Sequence, residues 1–416
     1  MKINPFNPNS PTNPGMFAGR INEIETIEKI VIQTKADKGH GFLLLGQRGI
    51  GKTSLLNLVK FQAEGSIEIQ GNTVNFLVIE IDITSETNQI TLIKKIQLAL
   101  KRKLAKTEKT RKLFGEIWSF IGKLEAVGVK VDTKKQVDTE MLFEEFCYSL
   151  ADTLKRITDG EGQLSADYDG LLILVDETDK ACKELDLGTF VKLLFERLQK
   201  EGTRKLMIGI AGLPKTKSIL TESHPSCLRI LDELNLDRLS EPDINYVIKR
   251  VLAHSKEING VETVIDDKAH ELLIKHSEGF PHFIHQYGYC AFDLSDGETI
   301  TFKNVIQGAF GQNGAIEKIG DRYYRDDYYN KIKVESYRQV LKIMATKLDS
   351  WVTKAYIKKI FKGKDTTLDN AINALRTRGI ILDKEGTRGK YRLQDKGFAW
   401  WIVMNEEKEK VKDSSA

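Results

Sequence analysis

The run Gly46-Gln47-Arg48-Gly49-Ile50-Gly51-Lys52-Thr53 constrains this chain more than any other feature. It follows the apolar segment Phe42-Leu43-Leu44-Leu45 and precedes the helical pattern Ser54-Leu55-Leu56-Asn57-Leu58-Val59. Strand, glycine-rich turn and helix start come in the order that a phosphate-binding loop requires. Glycine lets backbone N–H groups converge on phosphate oxygens where side chains would obstruct, and the helix N-terminus adds a favourable dipole. In such a loop Gly46, Gln47, Arg48, Gly49, Ile50, Gly51 and Ser54 surround the phosphates. Lys52 supplies a cation for the β and γ phosphates, and Thr53 a hydroxyl for Mg²⁺. The expected ligand is a nucleoside triphosphate.

The other half of such a site is a buried strand that ends in acidic residues. Leu171-Leu172-Ile173-Leu174-Val175-Asp176-Glu177 fits, because its apolar run suits a strand covered on both faces. Asp176 would hold Mg²⁺, usually through water, and Glu177 would orient or deprotonate the attacking water. Further strands are predicted at 74–83, 206–210 and, as a short fifth, 234–236. Helical patterns at 21–32 and 191–198 alternate with them. This alternation predicts a three-layer α/β fold with a mostly parallel sheet. Ligands bind at the carboxyl ends of such strands, where Gly46 and Asp176 both lie.

With 416 residues, 41% hydrophobic and 29% charged, the chain can form two or three domains around separate cores. No apolar stretch approaches the length of a membrane span, and the N-terminus lacks a signal-peptide core. Cys147, Cys182, Cys227 and Cys290 are widely separated, without metal or disulfide spacing, so a reducing cytoplasm is expected. The net charge of +4 hides an asymmetry. Residues 331–404 hold seventeen Lys or Arg against seven Asp or Glu, a balance of +10, whereas the first 330 residues balance to −5. A basic C-terminal module on a slightly acidic body points to a polyanionic partner for that module.

The order of these motifs resembles the AAA+ ATPases, in particular the bacterial and archaeal branch similar to origin-recognition initiators. Phe17-Ala18-Gly19-Arg20-Ile21-Asn22-Glu23 looks like the family's opening motif, which precedes a helix and packs near the adenine. Asp176-Glu177-Thr178-Asp179 looks like its acidic box. Leu236-Asp237-Arg238-Leu239-Ser240-Glu241-Pro242-Asp243 resembles the join from ATPase core to helical lid, and Ser277-Glu278-Gly279-Phe280-Pro281-His282 the lid's G-x-P-R element. The resemblance covers about residues 17 to 310. It implies ATP as the nucleotide and an arginine supplied in trans by a neighbouring subunit of a homo-oligomer. Such an arginine accelerates phosphoryl transfer by ~10³–10⁵. Arg229 occupies about the right place, with Arg238 as second choice.

Two departures imply slow hydrolysis, or a site that uses ATP mainly as a switch. The fourth strand runs into Ala211-Gly212-Leu213-Pro214, so the polar residue that senses the γ-phosphate is missing or replaced by Lys215 or Thr216. The lid arginine is replaced by His282, mostly neutral near pH 7. His282 and His285 lack nearby carboxylate or Cys ligands, so a packed or solvent-facing pair is expected rather than a metal site.

Three segments remain. Residues 101–112 are basic and helical in pattern, inside an insertion (101–140) that either is solvated or touches DNA or a partner, with a possible strand at 126–131. Prolines at 5, 8, 11 and 14 suit an extended N-terminal segment, either leading towards the nucleotide base or loose. After a linker, the C-terminal part shows helices at 337–344, 352–361 and 367–378. Asp365 or Thr366 would cap the third, and a hairpin with a glycine-flanked basic tip follows. This looks like a winged helix-turn-helix. By analogy its third helix would enter the major groove of double-stranded DNA, with Asp369, Asn370, Asn373 and Thr377 on the polar side. Arg376, Arg378, Arg388, Lys390 and Arg392 would contact phosphates or bases.

The expected organisation is a proline-rich segment (1–16), ATPase core (17–238), helical lid (239–320), linker (321–334), winged helix-turn-helix (335–404) and charged tail (405–416). The expected activity is that of a DNA-binding AAA+ ATPase gated by ATP and Mg²⁺, in replication, transposition or mobile-element maintenance. The alternative is a signalling or defence switch whose winged helix docks protein. A nucleotide kinase lacks support, since no acceptor-binding domain is evident.

Overall fold

The computed structural model describes residues 2–11, 17–69, 71–122, 139–159, 164, 167–332, 334–348, 350–384 and 386–414. The strand predicted at 126–131 lies outside them, as do Pro14 and the middle of the 101–140 insertion. The chain folds as two compact units, Pro11–Asp237 and Met1–Ser10 with Arg238–Ala416.

In the first unit the described elements are α1 (Ile21–Lys35), β1 (Gly41–Gly46), α2 (Lys52–Ala63), β2 (Phe76–Asp82), α3 (Gln89–Leu104) and α4 (Glu108–Ile117). Then come α5 (Thr139–Thr158), β3 (Gly170–Asp176), α6 (Leu187–Lys200), β4 (Leu206–Gly212), α7 (Thr216–Ser223) and β5 (Leu231–Leu236). The five strands pair in the order β2-β3-β4-β1-β5, and every pairing is parallel. Central strands β1 and β4 are buried at every position, as continuous apolar runs require. Edge strand β5 instead mixes buried leucines with exposed Asp232, Glu233 and Asn235. On one face Leu43, Leu45, Ile173 and Val175 join a single cluster with α3, α4, α5 and α6. Their neighbours Phe42, Leu44, Leu172 and Leu174 are equally buried, and the period of two places them on the opposite face. The result is the α/β architecture that the sequence predicts.

The basic stretch at 101–112 is not one helix. Thr107 and Thr110 exchange backbone and side-chain bonds (Thr110 N to Thr107 Oγ1 3.2 Å, Thr107 N to Thr110 Oγ1 3.0 Å). This reciprocal cap starts a new helix, α4, just after α3 ends. Phe114 and Trp118 then enter the core beside Phe143, Phe146 and Phe190, while the lysines of the stretch stay exposed.

The second unit begins with α8 (Glu241–Asn259), β6 (Val264–Ile265), α9 (Asp267–Ser277), α10 (Pro281–Asp293), β7 (Thr299–Ile300), α11 (Phe302–Phe310) and α12 (Ala315–Tyr323). It continues through α13 (Glu335–Ala345), β8 (Val352–Thr353), α14 (Lys354–Ile360), α15 (Asp365–Thr377), β9 (Ile381–Asp383), β10 (Lys390–Leu393) and α16 (Lys396–Ser414). Strands β8, β10 and β9 form an antiparallel sheet in that order.

Several boundaries differ from the sequence reading. Val352 pairs with Tyr391, so the second C-terminal helix starts only at Lys354, capped by Thr353. Helix α15 starts at Asp365 with Lys364 at its N-cap and no side-chain cap, so neither Asp365 nor Thr366 plays that role. Gly379 ends it at φ 65°. The predicted linker is helical in α12 as far as Tyr323 and again in a π-helical segment at Asp327–Lys331. Tyr324 and Tyr328 are buried against Phe398 and Trp401, because these tyrosines complete a core. The charged tail continues α16.

Nor is the N-terminal segment loose within residues 2–10. Ile3 N donates to Asn259 Oδ1 (2.7 Å) and Asn4 Nδ2 to the Tyr289 carbonyl (3.0 Å). Phe6 is 1% exposed and fills the space left by Gly288, where a Cβ would lie 2.3 Å from its ring. Asn7 N donates to His285 Nδ1 (3.2 Å), and Arg322 Nη1 to the Pro8 carbonyl (3.1 Å). Asparagines and one aromatic side chain thus bind the strap to α8, α10 and α12.

Burial lowers the pKa of His285 to about 4. Burial, and then the Arg322 cation, lower that of His282 to about 4. Both are neutral in the fold, whereas an unfolded chain protonates them below about pH 6.5. Their stabilisation is therefore full above pH 6.5 and lost as pH falls towards 4. Each histidine accounts for roughly 3 kcal/mol over that interval. Urea unfolding of the second unit should show this slope, and His285→Gln should remove about half of it.

Candidate functional site

Residues 46–53 gather at the carboxyl edge of the sheet. Leu45 lies beside Gly212, and Gly46 lies beside Leu236. Gly49 and Gly51 adopt φ 77° and 102°, a region that other residues rarely enter. Gln47 and Arg48 are exposed and Ile50 is buried. A Cβ on Gly46 would lie 2.7 Å from Ile50 Cγ2, so the tight start of the loop needs glycine. Lys52 turns back into the loop and donates to the carbonyls of Gly46 (2.8 Å) and Gln47 (3.0 Å). Burial holds its pKa below the usual lysine value, and nearby Asp176 and then Asp179 pull it up again.

Thr53 donates its hydroxyl to Asp176 Oδ2 at 2.9 Å. Glu177 N donates to Asp176 Oδ1 at 2.7 Å. The hydroxyl, the carboxylate and the loop amides thus lie together, although their residues are over a hundred positions apart in sequence. Hard oxygen donors of this kind suit Mg²⁺ beside a polyphosphate. Glu177 has a left-handed backbone, φ 56°, and its carboxylate pairs with Lys180.

At the end of β4, Thr216 is fully buried, and its hydroxyl lies 3.4 Å from that of Thr178, which donates to the Ala211 carbonyl (2.7 Å). Thr216 is thus engaged in the core, and Lys215 is the exposed polar residue there. Arg229 is exposed, in a short 3₁₀ turn just before β5. Arg238 and His282 belong to the other unit. Arg238 pairs with Glu278 (3.1 Å) and donates to the Gln394 carbonyl (2.8 Å). His282 Nε2 lies 2.7 Å from Arg322 Nη1, with the Tyr323 ring edge-on to the imidazole.

The sequence alone gives Arg20 no individual role within the Phe17–Glu23 motif. Its side chain is 7% exposed, and its Nη2 donates to the carbonyls of Ile50 (3.4 Å) and Asp237. The sequence signal was the Gly19-Arg20 pair, both residues of which have positive φ.

The predicted nucleic-acid residues are only partly available. Arg376 is bound to Asp383 (2.7 Å), and Arg378 and Arg392 lie over the rings of Tyr337 and Trp351. Lys390 is half-buried in β10, and Arg388 is exposed in the β9–β10 turn. On α15, Asp365 and Asp369 pair with Lys358 and Lys354 of α14. The last turn of α14 carries Lys359, and the loop from there to α15 carries Lys362 and Lys364, all exposed. Their spacing was visible in the sequence, but the arginines of the following helix drew the assignment instead.

No protein-family model matches the chain, and no curated protein matches it in sequence. Solved structures do match. A Walker-type ATPase of Pyrococcus abyssi superposes with TM-score 0.59 at 15% identity, covering 96% of this chain and 99% of that one. The ORC2 protein of Aeropyrum pernix, in ADPNP–ADP complexes, superposes with TM-score 0.56 at 12% identity, covering 99% of each chain. The chain shares the α/β fold of these two proteins.

Gly51→Ala would place an L-residue at φ 102°. The expected cost is about 1–3 kcal/mol of stability in the first unit, read by urea unfolding.

Proposed function

We propose that the chain is an ATP-binding AAA+ ATPase whose nucleotide state controls the binding of double-stranded DNA. The observation that carries this reading is the juxtaposition of Lys52, Thr53 and Asp176 at the carboxyl edge of a parallel sheet. Loop amides of residues 47–52 and the Lys52 ammonium hold the phosphates, while Ser54 follows at the helix start. Thr53 and Asp176 hold Mg²⁺, which when bound neutralises phosphate charge. Glu177 orients the attacking water and must first leave Lys180, which favours slow turnover. Arg229 is available to serve a neighbouring copy in a homo-oligomer. His282 belongs to the nucleotide-sensing set only by its place in the motif.

DNA is the favoured partner because residues 331–404 balance to +10 and expose lysines on a helix–turn–helix. We assign this module as a winged helix. Lys359, Lys362, Lys364 and Arg388 are its phosphate contacts, with Lys390 beside them. Arg376, Arg378 and Arg392 mainly hold the module's own structure. Asn370 and Asn373 remain on α15 for base edges.

The test is DNA binding by the full chain with ATP, with ADP and without nucleotide, each across a salt series. Binding should require ATP and weaken steeply with salt. Lys359, Lys362 and Lys364 changed together to Ala should lower the slope of log affinity against log salt by roughly 3. Arg376→Ala should leave that slope unchanged.

A second reading has its own support. Glu278 Oε1 accepts the N–H groups of Lys396 (2.6 Å) and Gly397 (3.3 Å), which stitches the C-terminal module to the helical lid. A module held this way suits a switch ATPase that docks protein. Absence of DNA binding in every nucleotide state would select it.

A further inference from the structure

We propose that Arg20 is a positioning residue that sets both the phosphate loop and the chain crossing between the two units, and so transmits nucleotide state. The proposal rests on the nucleotide reading of the loop given above.

A trans peptide group is planar, so its C=O and the following N–H point in opposite directions and turn together. Arg20 Nη2 donates to the Ile50 carbonyl at 3.4 Å. The orientation of that carbonyl fixes the direction of Gly51 N–H, one of the loop amides that would face phosphate. The same nitrogen also donates to the Asp237 carbonyl. Asp237 C=O shares its plane with Arg238 N–H, and the boundary between the units lies at this bond. One guanidinium nitrogen therefore holds two peptide planes, one in the loop and one at the crossing. Arg20 is well placed for this because Gly19 and Arg20 both take positive φ and the side chain is almost entirely enclosed.

On the far side of this bond Arg238 is held within its own unit. Arg238 binds Glu278 Oε2 (3.1 Å) and the Gln394 carbonyl (2.8 Å), and its guanidinium lies 4.9 Å from the centre of the Phe280 ring. Leu239 N donates to the Gly279 carbonyl at 2.8 Å. Glu278 in turn accepts the first N–H groups of α16. A rotation of the 237–238 plane therefore moves the backbone that carries Arg238, and Arg238 grips both the lid and the C-terminal module. A phosphate that pulls Gly51 N–H turns Ile50 C=O against Arg20 and disturbs its hold on Asp237.

Hydrogen exchange on the full chain, with and without a saturating Mg²⁺ complex of a non-hydrolysable ATP analogue, tests this. In the native protein, exchange should change in peptides covering 48–54, 236–240 and 394–398. In Arg20→Ala the change at 48–54 should remain, and those at 236–240 and 394–398 should be lost. Arg20→Lys, which keeps the charge but loses the planar fork, should behave the same way if the alanine variant fails to fold. Arg238→Ala should keep the change at 236–240 and lose it at 394–398. Distant changes that persist without Arg20 would overturn the proposal. So would a native protein protected only at the loop, or an Arg20 variant that folds but shows no loop protection at saturation. No protection at the loop in the native protein would overturn the nucleotide reading itself, a separate outcome.

Discussion

Strand β4 lies between β1 and β3, and this one pairing choice governs the site. Parallel strands in register bring their carboxyl ends to one edge, so the loop after β1 and the acid at the end of β3 meet there across an intervening strand. The register is tied down by burial on both faces, since a slip would bring polar ends into the core. The bond from Thr53 to Asp176, at 2.9 Å, closes the arrangement. It joins the first turn of α2 to the end of β3 and leaves the β4 terminus, with Lys215, beside them.

The second unit solves a different problem, which is how to hold buried charge. Glu278 and Asp395 are both enclosed, and burial pushes both carboxyls above the ordinary range, with repulsion from Asp395 adding to the rise of Glu278. Arg238 draws both back. Glu278 spends its remaining capacity on the α16 amides, and Asp395 accepts the Tyr324 hydroxyl (2.6 Å) and Phe398 N (2.7 Å). Removal of one partner from such a set costs more than the set contributes as a whole. Beside it Trp401 lies so close to Gly320 that a Cβ there would come within 1.7 Å. Helix α12, which carries Gly320, and helix α16 therefore share one core, and Tyr324 and Tyr328 of the chain between them are part of it.

Most of the first unit was legible in the sequence, because its signals are local. An apolar run ending at Gly46 and another ending at Asp176 each state their own strand and loop. What was not legible depends on partners distant in sequence. Nothing within residues 2–10 announces that Phe6 fills the gap at Gly288, or that Asn7 meets His285. Tyr324 and Tyr328 read as linker because their ring partners, Phe398 and Trp401, come some seventy residues later. Arg376 looked like a DNA contact since its charge was visible and its bond to Asp383 was not. Arg20 was seen as part of a motif, but its two carbonyl acceptors can be found only in three dimensions.

The most direct test of the account is calorimetric titration of the purified chain with ATP, with and without Mg²⁺, alongside Lys52→Ala and Asp176→Asn. Saturable one-site binding is expected in the native protein and should be lost in Lys52→Ala. In Asp176→Asn it should persist without the Mg²⁺-dependent gain. Absence of ATP binding by the native chain, or equal binding by Lys52→Ala, would contradict the assignment of this sheet edge as a nucleotide site.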